Sequence, residues 1–388
     1  MKGQEQWHIA LDFIRYISES GLEAFIVGGA VRDYYLNRPL HDFDIVTNAS
    51  RSDIENLFTH VITPTHRFNT WIVRWYGLLF EVTPYRSKAK RLEEDVKLRD
   101  FTINSLAIDK TGVMIDTLNA KEDLDNGIIR TIHPDKRFSE DPLRIMRALR
   151  FVSQLEFKIE ATTWHACLCQ QSQLETVPVE RIQTEIVKLL AGNKHSDALY
   201  LMFFYGFPAY FPERIQVSPK DSSKKRYNMC RLQQSIEKWS AFMWLLYKED
   251  AKFHCKQWLL PKRDTKKIQS ILERCSRHPE SIPWDETLIY ETGEMLALQT
   301  ERVHQWLKGT KSNKRLQYIS SVYYSLPIKS RKELYINGRD LLELFPAIKK
   351  EEIGRYLNIL ELAVIRRSIP NKKAELAAYI KEKRLNER

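Results

Sequence analysis

The stretch IVGGAVRDYYLNRPLHDFDIVT, Ile26 to Thr47, contains the end of a strand, a glycine pair, the start of a helix and a second strand. The short apolar run EAFIV (Glu23–Val27) has the length and β-branched content of a buried strand, and Gly28-Gly29 then turns the chain. AVRDYYLN (Ala30–Asn37) opens a helix, whose N-terminus favours anions, and glycines there let the backbone approach a ligand closely. In HDFDIVT (His41–Thr47), Asp42 and Asp44 stand two apart on a predicted strand, so both carboxylates share one face and Phe43 points to the packed side. Adjacent carboxylates repel each other unless a cation lies between them, and Mg²⁺ prefers oxygen ligands of this kind. Acid pairs also occur on solvated edge strands, and strand–Gly-Gly–helix is a common connection. It is the order that informs: a seat for a polyphosphate is followed directly by a seat for a divalent cation.

The surrounding chain alternates in the same way. Trp7, Leu11, Ile14 and Ser18 follow helical spacing, with Gly21 as the stop signal. WIVRWYG and LLFEVTPY read as strands, and SLAIDKTGVMIDT as a hairpin turning at Lys110-Thr111-Gly112. From about Pro142 onward the pattern is helical, as in PLRIMRALRFVSQL, VERIQTEIVKLLAG, DALYLMFFYG and QQSIEKWSAFMWLLYK. SPKDSSKKRYN (Ser218–Asn228) reads as a polar, basic linker. The fold class is therefore α+β, a small α/β head followed by a long all-α portion, and 388 residues call for more than one core.

Two later motifs add chemistry. LRDFTINS (Leu98–Ser105) places the cationic Arg99 beside the acceptor Asp100, with the amide of Asn104 four residues on. In FSEDPLRIMRALRF (Phe138–Phe151), Ser139 or Asp141 is placed to cap a helix that starts near Pro142. Asp141, Arg144, Arg147 and Arg150 recur every three residues along one side of it, beside an apolar stripe of Leu143, Met146 and Leu149. A carboxylate only accepts hydrogen bonds and a guanidinium only donates them. Asp141 with Arg144 thus matches a base edge that presents an amino donor beside a ring acceptor, as cytosine and adenine do. Uracil and guanine present the reverse order, and would leave buried groups unpaired.

A formal net charge of +11 suits a polyanionic partner. No apolar run approaches the length of a membrane span, and the N-terminus lacks the pattern of a secretory signal. Five scattered cysteines fit neither a disulfide framework nor a zinc site, and read as reduced thiols in a cytoplasmic protein.

GGAVRD, DFDIVT, EVTPYR, RDFTIN, EDPLRIMRALRF and VERIQTEI occur in this order, and together they resemble the class II, bacterial-type tRNA nucleotidyltransferase and poly(A) polymerase family. The likeness is strong over the first half and continues more faintly to KELYINGRDLLEL (Lys332–Leu344). It implies a head similar to DNA polymerase beta over residues 1–136, a helical neck over 137–217, a body over 218–310 and a tRNA-binding tail over 311–388. It implies that Asp42 and Asp44 hold two Mg²⁺ ions, with Glu81 in support. Gly28, Gly29, Arg32 and Arg99 would take the triphosphate, Asp100 and Asn104 would lie near the ribose, and Asp141 with Arg144 would read the base. Arg147 and Arg150 would complete the nucleotide site. Basic residues in SSKKR, IKSRK, IRRSIPNKKAE and KEKR would hold phosphates of the acceptor stem and T-arm.

This chain departs from the family pattern at His41, at Leu98, which stands where an arginine is usual, and at Ser105. It also departs in length. EVTPYRSKAKRLEEDV (Glu81–Val96) is shorter than its counterpart in complete CCA-adding members by about a dozen residues, a large change for a short connection. In the family that segment is linked to the switch from CTP to ATP, so its brevity implies an enzyme that adds CC and leaves the final A to a separate A-adding enzyme. Complete CCA addition, A addition alone, poly(A) synthesis and a non-catalytic RNA-binding role stand as alternatives.

Overall fold

The computed structural model describes residues 3–63, 70–87, 89–211 and 224–385, which fall into two compact units, Met1–Tyr227 and Asn228–Arg388. Ser218 to Ser223 of the expected linker lie outside the described residues. Of its remainder, Lys224–Tyr227 is a 3₁₀ turn that ends the first unit with Tyr227 stacked on Phe203, and Asn228 begins the second.

The first unit opens with α1 (Gly3–Glu19), β1 (Ala24–Val27), α2 (Gly29–Tyr35), β2 (Phe43–Thr47) and α3 (Arg51–Leu57). It continues through β3 (Val61–Ile62), β4 (Trp71–Trp75), β5 (Leu78–Pro84), α4 (Leu92–Val96), β6 (Ala107–Ile108) and β7 (Met114–Ile115). The sheet order is β3-β4-β5-β2-β1-β6-β7, and β2 with β5 is its one parallel pair. β6 and β7 form the expected hairpin. Ile26, Phe43, Ile45, Phe80 and Val82 bury one face, where Phe13 of α1 stacks on Phe80 with ring centres 4.1 Å apart. The buried stripe of α1 is Trp7, Ala10, Phe13, Ile14 and Ile17, so Leu11 and Ser18 of the expected stripe lie at its margin. The opposite sheet face carries Asp44 and is covered in part by α4, whose Leu92 and Val96 pack with Val27, Val46 and Tyr85.

Beyond the sheet come α5 (Ala120–Asp125), β8 (Ile128–Ile129), α6 (Pro134–Glu140), α7 (Leu143–Leu155), β9 (Lys158–Ile159), α8 (Ala161–Gln170), α9 (Val179–Ala191) and α10 (His195–Phe204). The short β3, β8 and β9, at two residues each, escape a sequence reading because two residues carry no periodicity. The helix expected from Pro142 begins at Leu143, whose amide Asp141 Oδ1 accepts at 3.3 Å, while Ser139 lies inside α6.

α7 and α9 meet without clearance at Gly192. A Cβ there would lie 2.6 Å from the Ser153 carbonyl carbon and oxygen, so the glycine is required by space, its φ of −72° being ordinary. Ser153 also donates to Leu189 O at 2.6 Å. Gly192→Ala is expected to destabilise the chain by about 1–3 kcal/mol, the range of overpacked cores, measured by urea denaturation at constant m-value.

The second unit contains α11 (Ser235–Tyr247), α12 (Ala251–His254), α13 (Lys262–Arg277), α14 (Glu286–Thr292), α15 (Glu294–Lys308), α16 (Asn313–Ser325), α17 (Gly338–Leu344), α18 (Ile353–Ile365) and α19 (Lys373–Leu385). Its core gathers Ile289, Ile319, Leu341, Leu360, Ile365, Leu376 and Ile380. Buried Glu301 is matched by Arg315, Trp284 and Gln305, and buried Glu237 by Arg302. No helix among the described residues is long and apolar enough to cross a membrane. All five cysteines are free, and Cys167, Cys255 and Cys275 are buried.

Candidate nucleotidyl-transfer site

Asp44 lies in the middle of the sheet, paired across β2 with Val27 on one side and with Glu81 on the other. Asp42 is exposed and immediately precedes β2, while Phe43 between them is buried, so the expected alternation holds. Gly28 has φ +75°, and a Cβ added to it would lie 3.0 Å from Asp44 Oδ2 and 3.1 Å from Arg99 Nη1. Only glycine allows the β1–α2 turn to sit this close to both groups. Gly29 begins α2, and a Cβ there would be in ordinary contact with Arg32.

Burial pushes the Asp44 carboxyl above its ordinary range; Arg99 pulls it back, Glu81 pushes it further up, and Arg86 and Asp42 add opposed contributions. A half-buried carboxylate crowded by two others fits a divalent cation. No group of three or more His, Cys, Asp or Glu side chains able to hold an ion occurs among the described residues. Mg²⁺ usually takes one or two carboxylates and completes its shell with water and substrate phosphates.

Arg32 and Asn104 come together, but not as free donors. Arg32 binds Asp33 through Nε and Nη2, each at 2.9 Å, and donates from Nη1 to Asn104 Oδ1 at 2.6 Å. Asn104 Nδ2 in turn donates to Asp100 Oδ1 at 2.9 Å, and Arg147 donates to Asp100 Oδ2 from Nε at 2.7 Å and also from Nη2. Burial raises the Asp100 carboxyl, yet the Arg147 charge and the donors Asn104, Arg147 and Phe101 N hold it well below the usual carboxylate range. Arg99, expected at the triphosphate, reaches Asp95 of α4, Nη2 to Oδ2 at 3.4 Å.

The arginine stripe of α7 is real, and α9 answers it. Arg150 Nε lies 3.3 Å from Glu185 Oε2, an ion pair without hydrogen-bond alignment, and Arg147 lies 3.9 Å from the same carboxylate. Burial lowers the Arg150 guanidinium to about 10. Arg181 Nη2 donates to Asp141 Oδ2 at 3.0 Å. Arg144 donates from Nη2 to Leu98 O at 3.3 Å, while its buried Nη1 has no partner among the described residues. Asp141 and Arg144 therefore lie one helical turn apart without bonding each other through their side chains. Arg181 and Glu185 had no assigned role, although VERIQTEI contains both. Their four-residue spacing, carboxylate after guanidinium on one helix face, was the available signal.

Residues 24–130 match the family model described as "Poly A polymerase head domain", residues 156–216 "Probable RNA and SrmB- binding site of polymerase A", and residues 230–380 tRNA nucleotidyltransferase domain 2. The chain is 32% identical to the CCA-adding enzyme of Geobacillus sp. (strain WCH70) over an alignment of 392 positions, covering 97% of each chain. It is equally 32% identical to the CC-adding tRNA nucleotidyltransferase of Halalkalibacterium halodurans over 376 aligned residues, again 97% of each. The crystal structure of Bacillus stearothermophilus CCA-adding enzyme in complex with CTP superposes with a TM-score of 0.87 at 30% identity, covering 98% of both chains. Carboxylate pair, glycine turn, arginine rack and full-length kinship agree, and the chain belongs to the class II, bacterial-type tRNA nucleotidyltransferase family.

Proposed function

We propose that this protein adds two C residues from CTP to the 3′ end of tRNA, releases pyrophosphate and stops there. The observation that carries the reading is the shortness of the link between β5 and α4, where only Tyr85 to Arg91 intervene. Its first two residues are tied down: Tyr85 N donates to Thr47 O at 3.0 Å, Tyr85 Oη to Glu23 at 2.7 Å, and Arg86 N to buried Asp95 Oδ1 at 2.8 Å. A link so short and so bonded has little reach with which to remodel a base pocket between successive additions. Alignment lengths support this: at the same coverage of this chain, the CC-adding relative aligns over 376 residues and the Geobacillus WCH70 enzyme over 392, so the latter carries residues that this chain lacks. Complete CCA addition is the second reading, favoured by relatives and a solved structure of that name.

In the proposed reaction Asp42 and Asp44, with Glu81 beside them, would hold two Mg²⁺ ions, which would supply acidification of the attacking 3′-hydroxyl and neutralisation of charge on the departing pyrophosphate. The protein's own work is positioning. Gly28 and Gly29 let the triphosphate approach the backbone, and Asn104 and Asp100 lie where the ribose would rest. Arg147 and Arg150, fixed by Asp100 and Glu185, line the same site. Arg144 keeps a buried donor for a ring acceptor, and Asp141, steadied by Arg181, accepts from an exocyclic amine. Arg32 contributes through Asn104.

The RNA strand would meet basic surface in neck, body and tail, at the acceptor stem and T-arm. Trp164, Tyr200 and Phe157 line an open cavity of about 420 Å³ edged by Lys158, Lys194 and Lys224; Lys194 pairs with Glu156 and Lys224 with Asp197, so what the cavity offers RNA is chiefly aromatic. Not every expected cation is available: Arg331 pairs with Glu361, Arg367 with Glu286 and Lys373 with Asp340, whereas Lys332, Arg366 and Lys372 are exposed. The free thiols fit a cytoplasmic enzyme, working ahead of a separate A-adding one.

The test is extension of tRNA ending at the discriminator base, or at CC, with Mg²⁺ and labelled CTP or ATP. Two C residues and no A are expected. Incorporation of A onto a CC end would sink the CC-only reading in favour of complete CCA addition, and long A tails would indicate a poly(A) polymerase.

A further inference from the structure

Arg99 is placed oddly for a triphosphate donor. Its side chain is only 8% exposed, and it lies between two carboxylates. One is Asp95, fully buried, at 3.4 Å. The other is Asp44: both Asp44 Oδ2 and Arg99 Nη1 crowd the hydrogen-bearing side of Gly28, so they are at most about 6 Å apart, a range at which unit charges in a half-buried site interact strongly. Arg99 Nε is buried and without a partner among the described residues, so this guanidinium is held more by charge than by hydrogen bonds. Asp95 already accepts from Arg86 N, which anchors the carboxylate and, through it, the arginine.

We propose that Arg99 is the built-in counter-charge of the metal-binding carboxylate Asp44, and that Asp95 is the positioning residue that fixes how much of that charge Asp44 feels. The inference rests on the reading of Asp42 and Asp44 as the divalent-cation seat. Without a cation, the charges of Glu81 and Asp42 add to that of Asp44, and Arg99 supplies the compensating positive charge from inside. When a cation arrives, it competes with that charge. Asp95 limits the competition by sharing the guanidinium. Arg86, exposed and acting on the same two groups, adds a screened contribution from the solvent side. The two roles for Arg99 differ in sign. A triphosphate donor strengthens nucleotide binding and leaves metal binding alone, whereas a counter-charge weakens metal binding in the absence of nucleotide.

The experiment is a titration of the full chain with Mn²⁺, without nucleotide, followed by the electron paramagnetic resonance signal of free Mn²⁺. The variant is the pair Arg99→Gln with Asp95→Asn, which removes one charge of each sign and strands neither partner. An isosteric version, Arg99→Met with Asp95→Asn, repeats the measurement if the first melts early. Mn²⁺ affinity is expected to rise by less than about tenfold, the scale of removing one nearby positive charge from a divalent ion's site, because the Asp95 charge lost with it offsets part of the gain. Unchanged or weaker Mn²⁺ binding by a folded double variant, together with a raised KM for CTP, overturns the counter-charge and returns Arg99 to the triphosphate. Asp44→Asn is the control: if it binds Mn²⁺ as the parent does, the metal seat itself is misplaced.

Discussion

Replacing Asp42 by alanine is expected to leave tRNA binding and the melting temperature where they are, and to abolish nucleotide incorporation. Asp42 is exposed and precedes its strand, so nothing packed is lost with its carboxylate. The loss in turnover should exceed that of removing one oxyanion donor, about 10²–10³-fold, because a metal ligand shapes charge on both attacking and leaving oxygens. Single-turnover CTP incorporation on tRNA lacking its 3′ terminus reads the rate, and filter binding reads the affinity. Incorporation near the parental rate would refute the assignment of Asp42 to the metal. Asp44 is a less clean probe, since it is half buried against Gly28 and Arg99.

Asp100→Ala should act first on stability. It strips the buried partner of Arg147 and unties Asn104, and removing one member of such a pair typically costs about 3–5 kcal/mol. The sign with pH follows from the depressed carboxyl. Its contribution is fully present above the unfolded value, about 3.9, and is lost as pH falls through the lower folded value. Urea denaturation should therefore show a large gap between parent and variant at pH 7, closing under acid conditions. A gap that stays constant as the pH drops through the carboxylate range would mean that the Asp100 charge does not contribute to stability.

The head was largely legible because its signals are local. A period of two placed Asp42 and Asp44, a glycine pair marked the turn that had to come close, and a hairpin declared itself at Lys110-Thr111-Gly112. The partners were not legible. Nothing in RDFTIN says that Asp100 will turn to Arg147 on a helix more than forty residues away, whereas the four-residue spacing of Asp95 and Arg99 did offer a signal. Arg32 reads as a free cation after a glycine turn, yet Asp33 and Asn104 occupy it. The pairings of Asp100 with Arg147 and of Arg32 with Asn104 join residues 47 and 72 positions apart, which sequence spacing does not encode. Among the long basic runs, too, spacing could not separate Arg331, Arg367 and Lys373, each spent on an internal acid, from their exposed neighbours.

The contact at Gly192 also bears on the arginine rack. Arg181 and Glu185 stand on the same rigid rod as that contact, with Arg181 about 16 Å up the helix axis from it. A small tilt forced at this pivot is magnified along the rod and arrives at Asp141, Arg147 and Arg150 as a shift in their supports. If Asp141 and Arg144 read the base as proposed, drift at Gly192 would retune the stringency of base choice, and a mutational scan confined to the walls of the pocket would miss it.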